Sequence, residues 1–181
     1  AGEEYKRLMD KDDEDVTEVY EQSMAVEADF FIYHYSIENP TEELHEEVEE
    51  LCREIYSHAK FQVVSAAEQA DGSFSVKVTV EPIDIAHLVE EELKEALEPW
   101  YEKYPTEVQD RMSDEEYQSA DEEWARIIVD TVKAKLPETG NLEERSTSVQ
   151  IEKTEEGTYV LTQEDFDRLD AMILDYPYNE D

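Results

Sequence analysis

His45, Glu49 and Cys52 stand at i, i+4 and i+7, a spacing that brings an imidazole, a carboxylate and a thiol toward one side of a helix, donor types that a transition metal takes. Cys52 also belongs to an apolar stripe with Val48, Leu51, Ile55 and Tyr56, and a free cysteine in such a stripe behaves as a small buried hydrophobe. The buried reading is the one expected, with no metal and no cofactor. A Cys–His nucleophilic pair would need Cys52 exposed beside His34, His45, His58 or His87. Acid around the thiol would hold its proton more tightly and weaken it as a nucleophile. Asp10, Asp12, Asp13, Glu14 and Asp15 offer alternating oxygens to calcium. No register puts a glycine sixth and a glutamate twelfth, so they read as a solvated helix start. With 51 acidic residues no carboxylate pair can be singled out as acid and base. Gly2, Gly72, Gly140 and Gly157 are isolated, which leaves no phosphate-cradling loop, and no serine stands in a nucleophile elbow. The expectation is a noncatalytic chain.

The aromatic residues carry the best local signal. Tyr33 and Tyr35 flank His34, Trp100, Tyr101 and Tyr104 follow Pro99, and Tyr117 and Trp124 lie one helix further on. Rings at helical spacing commonly fill a core. Rings gathered around a helix break instead line grooves for a sugar, a peptide or an apolar ligand. Trp100, Tyr101, Tyr104, Tyr117 and Trp124 are therefore the candidate ligand-binding residues.

The elements that must position these residues follow from periodicity. Val16, Val19, Tyr20, Met24, Phe30, Phe31, Tyr35 and Ile37 predict a helix over 13–37, and Leu44, Val48, Leu51, Cys52, Ile55, Tyr56 and Ala59 a second, capped by Thr41. Phe74, Val76, Val78 and Val80 alternate with Ser75, Lys77, Thr79 and Glu81, which predicts a strand with one wet face. It pairs with 61–69 across the turn 70–73. Ile85, Leu88, Val89, Leu93, Ala96 and Leu97 mark a helix that Pro99 kinks or stops. Ser113 and Glu116 form a capping box for a long helix reaching Pro137, with Tyr117, Ala120, Trp124, Ile127, Ile128 and Leu136 on its apolar side. A second hairpin runs from Val149 and Ile151 through Glu155, Glu156 and Gly157 to Leu161, and Thr162 caps a final helix carrying Phe166, Leu169, Met172, Ile173 and Tyr176.

Two hairpins, neither stable alone, most economically form one four-stranded antiparallel sheet with helices on its apolar face, an α+β fold of order α-α-β-β-α-α-β-β-α. Two small hairpins clamping a helical bundle are the alternative. At 181 residues and 39% hydrophobic the chain suits one domain, 1–181. Its net charge of −36 excludes nucleic acid and anionic membrane surfaces as default partners, because both require cations facing phosphate. No run is long and apolar enough to span a membrane, and the chain opens without a signal-peptide pattern.

At YEQSMAVEADFF, SFSVKVTVEPIDI and EGTYVLTQEDFDRLDAMIL the chain resembles a family of lipid-anchored surface proteins of Gram-positive gut bacteria whose function is unassigned. The resemblance implies a lipobox cysteine and short spacer ahead of Ala1, an extracytoplasmic location at the cell surface, and a binding or accessory role toward an unknown protein or small ligand. It carries over no catalytic residue. Three other classes compete: a small-molecule enzyme on an α+β cup, which needs a converging histidine and carboxylate in a cavity; an acidic decoy mimicking DNA, which needs carboxylates spaced like phosphates; and a halophile's solvated surface, which 35 Glu against 16 Asp do not especially favour.

Overall fold

The computed structural model describes residues 13–154 and 157–177. Helix α1 (Asp13–His34) runs antiparallel in sequence order into α2 (Glu42–Tyr56), whose first turn is closed by Thr41, the side chain accepting from the Leu44 N–H at 3.1 Å. Strands β1 (Lys60–Glu68) and β2 (Phe74–Glu81) form the first hairpin. Then come α3 (Ile85–Leu88), α4 (Glu90–Lys103), α5 (Thr106–Gln109) and α6 (Asp114–Lys135), with a 3-10 turn over Leu136–Glu138. Strands β3 (Arg145–Lys153) and β4 (Tyr159–Leu161) precede α7 (Gln163–Ile173). The four strands make one antiparallel sheet in the order β1-β2-β3-β4, so the two hairpins join through β2 and β3. The α+β architecture with helices on a sheet is thus the observed one.

Two apolar clusters hold it. Met24, Ala28, Phe31 and Ile32 of α1, Val48, Leu51, Cys52 and Ile55 of α2, and Ile128, Val129 and Val132 of α6 bury together with Ile83, Ile85 and Val89. Val76, Val78, Val80 and Val149 of the sheet pack separately under Leu169, Met172 and Ile173. The helix that covers the sheet is therefore mainly α7, while the others build their own layer. Ile83 links the two: its N–H donates to the Ile173 carbonyl at 2.8 Å, and it bridges Asn141 and Leu174. Pro82, fully buried, ends the β2 ladder as its missing N–H requires.

Several expectations need correction. Pro99 does not stop its helix but lies inside α4, which continues through Lys103. The price is one lost backbone donor, and later anchoring of Trp100 holds the last turn in place. The single helix foreseen over 85–97 is two, divided at Val89, and α5 was not foreseen. Phe30 and Phe166 are 46% and 51% exposed, displaced from the stripe by Ile32 in α1 and by Leu174 beyond α7. Thr79, expected wet, is buried in the central strand between Gln62 and Ser146. Strand β1 is exposed throughout, although register places Phe61 and Val63 opposite Val80 and Val78. The acidic stretch at Asp10 and Asp12 and the turn at Glu155 and Glu156 lie outside the described residues.

Candidate functional site

Because α4 passes through Pro99 unbroken, Trp100 and Tyr101 are consecutive helical residues projecting about 100° apart. They flank Trp124 of α6 from two sides. Trp100 and Trp124 have centroids 4.8 Å apart with planes inclined at 64°. Tyr101 lies 5.7 Å from Trp124 at 76° and 5.5 Å from Trp100 at 87°. The three planes are steeply inclined to one another, in the edge-to-face manner that ring quadrupoles favour. Both indoles are fixed by their N–H groups: Trp100 Nε1 donates to the Ala120 carbonyl at 2.9 Å and Trp124 Nε1 to the Tyr35 carbonyl at 2.8 Å.

These rings line a cleft of about 210 Å³ together with Tyr117, Ala120 and Asp121 of α6, Ser36 of the α1–α2 connection, and Gln109 and Met112 from α5 and the loop after it. Four of the five candidate residues read from sequence thus converge. The fifth, Tyr104, stands behind the wall: its ring is 5.3 Å from Trp100, and its hydroxyl donates to Glu123 Oε2 at 3.0 Å. Lys103 Nζ sits 4.8 Å over the Tyr104 ring and 2.6 Å from the same Glu123 oxygen, and its hydrogen bond holds the Glu123 carboxyl below the usual range. Tyr33 is 80% exposed and Tyr35 packs on Phe31 at 4.6 Å, so neither lines the cleft.

The polar atoms of the cleft are largely committed to the protein itself. Asp121, 6% exposed, accepts from the Glu38 and Asn39 N–H groups at 3.1 and 2.7 Å, which pins the α1–α2 connection. In that connection Ser36 adopts φ 53°, the left-handed conformation that closes helix C-termini: the Ile37 N–H reaches back to the Ile32 carbonyl at 3.0 Å. Gln109 Nε2 donates to the Tyr104 carbonyl at 2.6 Å. Tyr117 donates to Glu38 Oε2 at 3.0 Å, and that carboxylate raises the phenol's pKa, keeping it neutral. Among the described residues no Lys, Arg or His lines the cleft. Tyr101 also borders a shallow hollow with Lys94, Glu95, Glu98 and Glu102. Sequence reasoning missed Ser36, Gln109, Met112 and Asp121, of which only Asp121 left a trace, as an acid amid the apolar spacing of α6.

His45, Glu49 and Cys52 do not come together around a point. His45 Nε2 is 2.9 Å from Asp29 and Nδ1 3.2 Å from Glu49. Cys52 is 2% exposed in the core, where burial pushes its thiol up to about 12. Among the described residues no group of three or more His, Cys, Asp or Glu is placed to hold a metal. A second polar cluster escaped the sequence reading: Glu27 of α1 hydrogen-bonds Asp170 of α7 and the Tyr56 hydroxyl. Burial, then the Asp170 charge, raises Glu27 to about 7, and burial raises Asp170, so both carboxyls hold their protons more tightly than free acids do. Its signal was there: each acid stands within an apolar stripe, Glu27 between Met24 and Phe31, Asp170 between Leu169 and Ile173.

No protein-family model and no curated protein matches the chain. Among solved structures it is similar to YcdA, a candidate lipoprotein of Bacillus subtilis, with TM-score 0.53 and 13% identity over 94% of this chain and 49% of that one. The chain thus spans about half the length of that protein, and the likeness is one of fold.

Proposed function

We propose that the chain is a noncatalytic, extracytoplasmic binding or accessory module of a bacterial surface lipoprotein, and that the cleft between α4 and α6 is where it binds. The observation that carries this is the convergence of Trp100, Tyr101, Tyr117 and Trp124 on one cleft with the indole N–H groups already satisfied by backbone. Aromatic walls with few, committed polar groups suit recognition and lack the free acid, base or nucleophile that turnover needs. The surface setting draws on the fold shared with the Bacillus subtilis lipoprotein and on the resemblance to lipid-anchored proteins of Gram-positive gut bacteria. No helix among the described residues is long and apolar enough to cross a membrane.

Trp100 and Trp124 are the chain's two tryptophans, so intrinsic fluorescence reports the cleft directly. A panel of small amines, alcohols, sugars and short peptides, followed by tryptophan fluorescence and melting temperature, tests the binding reading. A saturable change for one class, lost in Tyr101→Ala and with the ligand recovered unaltered, supports it. Conversion of a ligand to product would establish an enzyme, and no response from any class would retire the cleft as a site. Detergent-phase partitioning of the native full-length protein, before and after inhibition of lipoprotein processing, tests the anchor.

A further inference from the structure

Resting on the reading of the cleft as a binding site, we infer that its ligand is a small organic cation with a methylated, quaternary ammonium head. Trp100, Tyr101 and Trp124 border the cleft with planes at 64°, 76° and 87° to one another, so rings of three different orientations meet there. A cation placed among them meets several ring quadrupoles at once, each attracting it, most strongly from tryptophan. The volume of about 210 Å³ falls below the roughly 300–1,000 Å³ of whole-ligand sites, which fits a head group better than an entire drug-sized molecule.

Charge and hydrogen bonding narrow the class. Among the described residues nothing cationic lines the cleft, Asp121 lies in its wall, and Glu38 polarises Tyr117 through its hydroxyl, which enriches that ring for a cation. The chain's net charge of −36 draws cations to the surface around it. A primary ammonium or a metal ion must exchange its hydration for fixed acceptors, but the Asp121 carboxylate already accepts two backbone N–H groups and Gln109 Nε2 is turned to the Tyr104 carbonyl, so few polar groups of the lining are left to replace that hydration. A sugar meets the same few partners for its hydroxyls. A quaternary ammonium has no N–H to satisfy and exchanges a weakly held hydration shell for ring faces. Lys103 over Tyr104 shows the same attraction at the back of this wall, where Glu123 supplies the acceptor that a primary ammonium needs.

Titration of tryptophan fluorescence with choline, with its neutral isostere 3,3-dimethyl-1-butanol, and with sodium chloride at matched ionic strength tests the inference. Choline is expected to saturate the signal at a concentration about tenfold below the isostere, the factor that roughly 1.4 kcal/mol of cation–π attraction supplies. Tyr101→Ala should weaken choline about tenfold and Tyr101→Phe should retain it. Equal binding of choline and the isostere would overturn the cationic inference while leaving the cleft a binding site. A choline response unchanged in Tyr101→Ala, or matched by sodium chloride, would assign it to the acidic surface and overturn the inference. Sedimentation with phosphatidylcholine vesicles without a response to free choline would overturn the commitment to a small molecule. Silence toward both choline and the isostere, with a neutral ligand of the wider panel bound, would overturn the inference and spare the cleft.

Discussion

Cys52 lies against Val48, Leu51 and Ile55 with its thiol pushed up to about 12, so both access and ionisation oppose its reaction. A thiol reagent should modify native protein far more slowly than denatured protein, and equal rates would show that the α1–α2 packing opens readily. Glu27 behaves differently because its proton is held by position. Its folded pKa of about 7 exceeds its ordinary 4.5, so the folded state binds more protons between those values, and its contribution to stability falls as pH rises from about 4.5 to about 7. Glu27→Gln should remove that slope in melting temperature; an unchanged slope would locate the titration elsewhere. Ser36 holds a left-handed conformation that costs a non-glycine residue about 1–2 kcal/mol, of which glycine's extra unfolded-state freedom cancels about 0.4–1. Ser36→Gly should therefore stabilise by between about 0 and 1.6 kcal/mol in denaturant titration.

At the scale of elements, β1 and β2 share one face and differ in what covers it. Val78 is 7% exposed beneath α7, whereas Val63, its partner in register, is 58% exposed and Phe61 69%. Val78→Asp should destabilise by on the order of 3–5 kcal/mol, the cost of an unpaired buried charge, while Phe61→Ser should stay within about 0.5 kcal/mol. Comparable losses from both would mean that β1 is covered in solution. The loop after the 3-10 turn is clipped to the end of β2: Asn141 Nδ2 donates to the His58 and Glu81 carbonyls at 3.2 and 3.1 Å, and Gly140 N–H donates to Asp84 at 2.8 Å. A Cβ on Gly140 would come within 3.2 Å of that carboxylate, which explains the glycine. Capping was readable at this scale. Thr41, Ser113 with Glu116, and Thr162 all accept from the amides that their sequence positions indicated, because a cap is decided within four residues.

Over the whole molecule the acid excess sets the response to pH and salt. Many carboxylates hold locally arranged partners: Glu47 lies between Lys133 and Arg126, Glu92 meets Lys135, and Glu123 meets Lys103, each carboxyl held below its usual range. Their contribution is present above the unfolded carboxylate pKa and is lost as pH falls through the folded values. Glu27 and Asp170 go the opposite way from these paired sites, because burial raises both. Stability should therefore rise from pH 7.5 toward about 5 and fall below about 4, a dome readable in melting temperature. Added salt should raise the melting temperature near neutrality by shortening the reach of repulsion, to about 8 Å at physiological ionic strength. Magnesium and calcium chloride should act alike at matched strength, and a gain confined to calcium would reveal a specific site.

What the sequence determined by itself was local: period two in Phe74–Val80, period three to four in α2 and α6, and the caps. These depend on neighbours within a few residues, whose geometry backbone and side-chain chemistry set directly. Tertiary structure decided what lies at a distance along the chain. Pro99 stays within its helix, and the Trp100 beside it is tied to Ala120 twenty residues on. Phe61 and Val63 carry the strand pattern yet stay exposed because α7 covers β2 and β3 rather than β1. Asp121 is buried because it caps the amides of Glu38 and Asn39 some eighty residues away, and Glu27 holds its proton more tightly because burial, and then the charge of Asp170 from the far end of the chain, raises it. A sequence pattern states how apolar a position is; which surface reaches it, and whether a buried charge finds its partner, depends on how the elements pack.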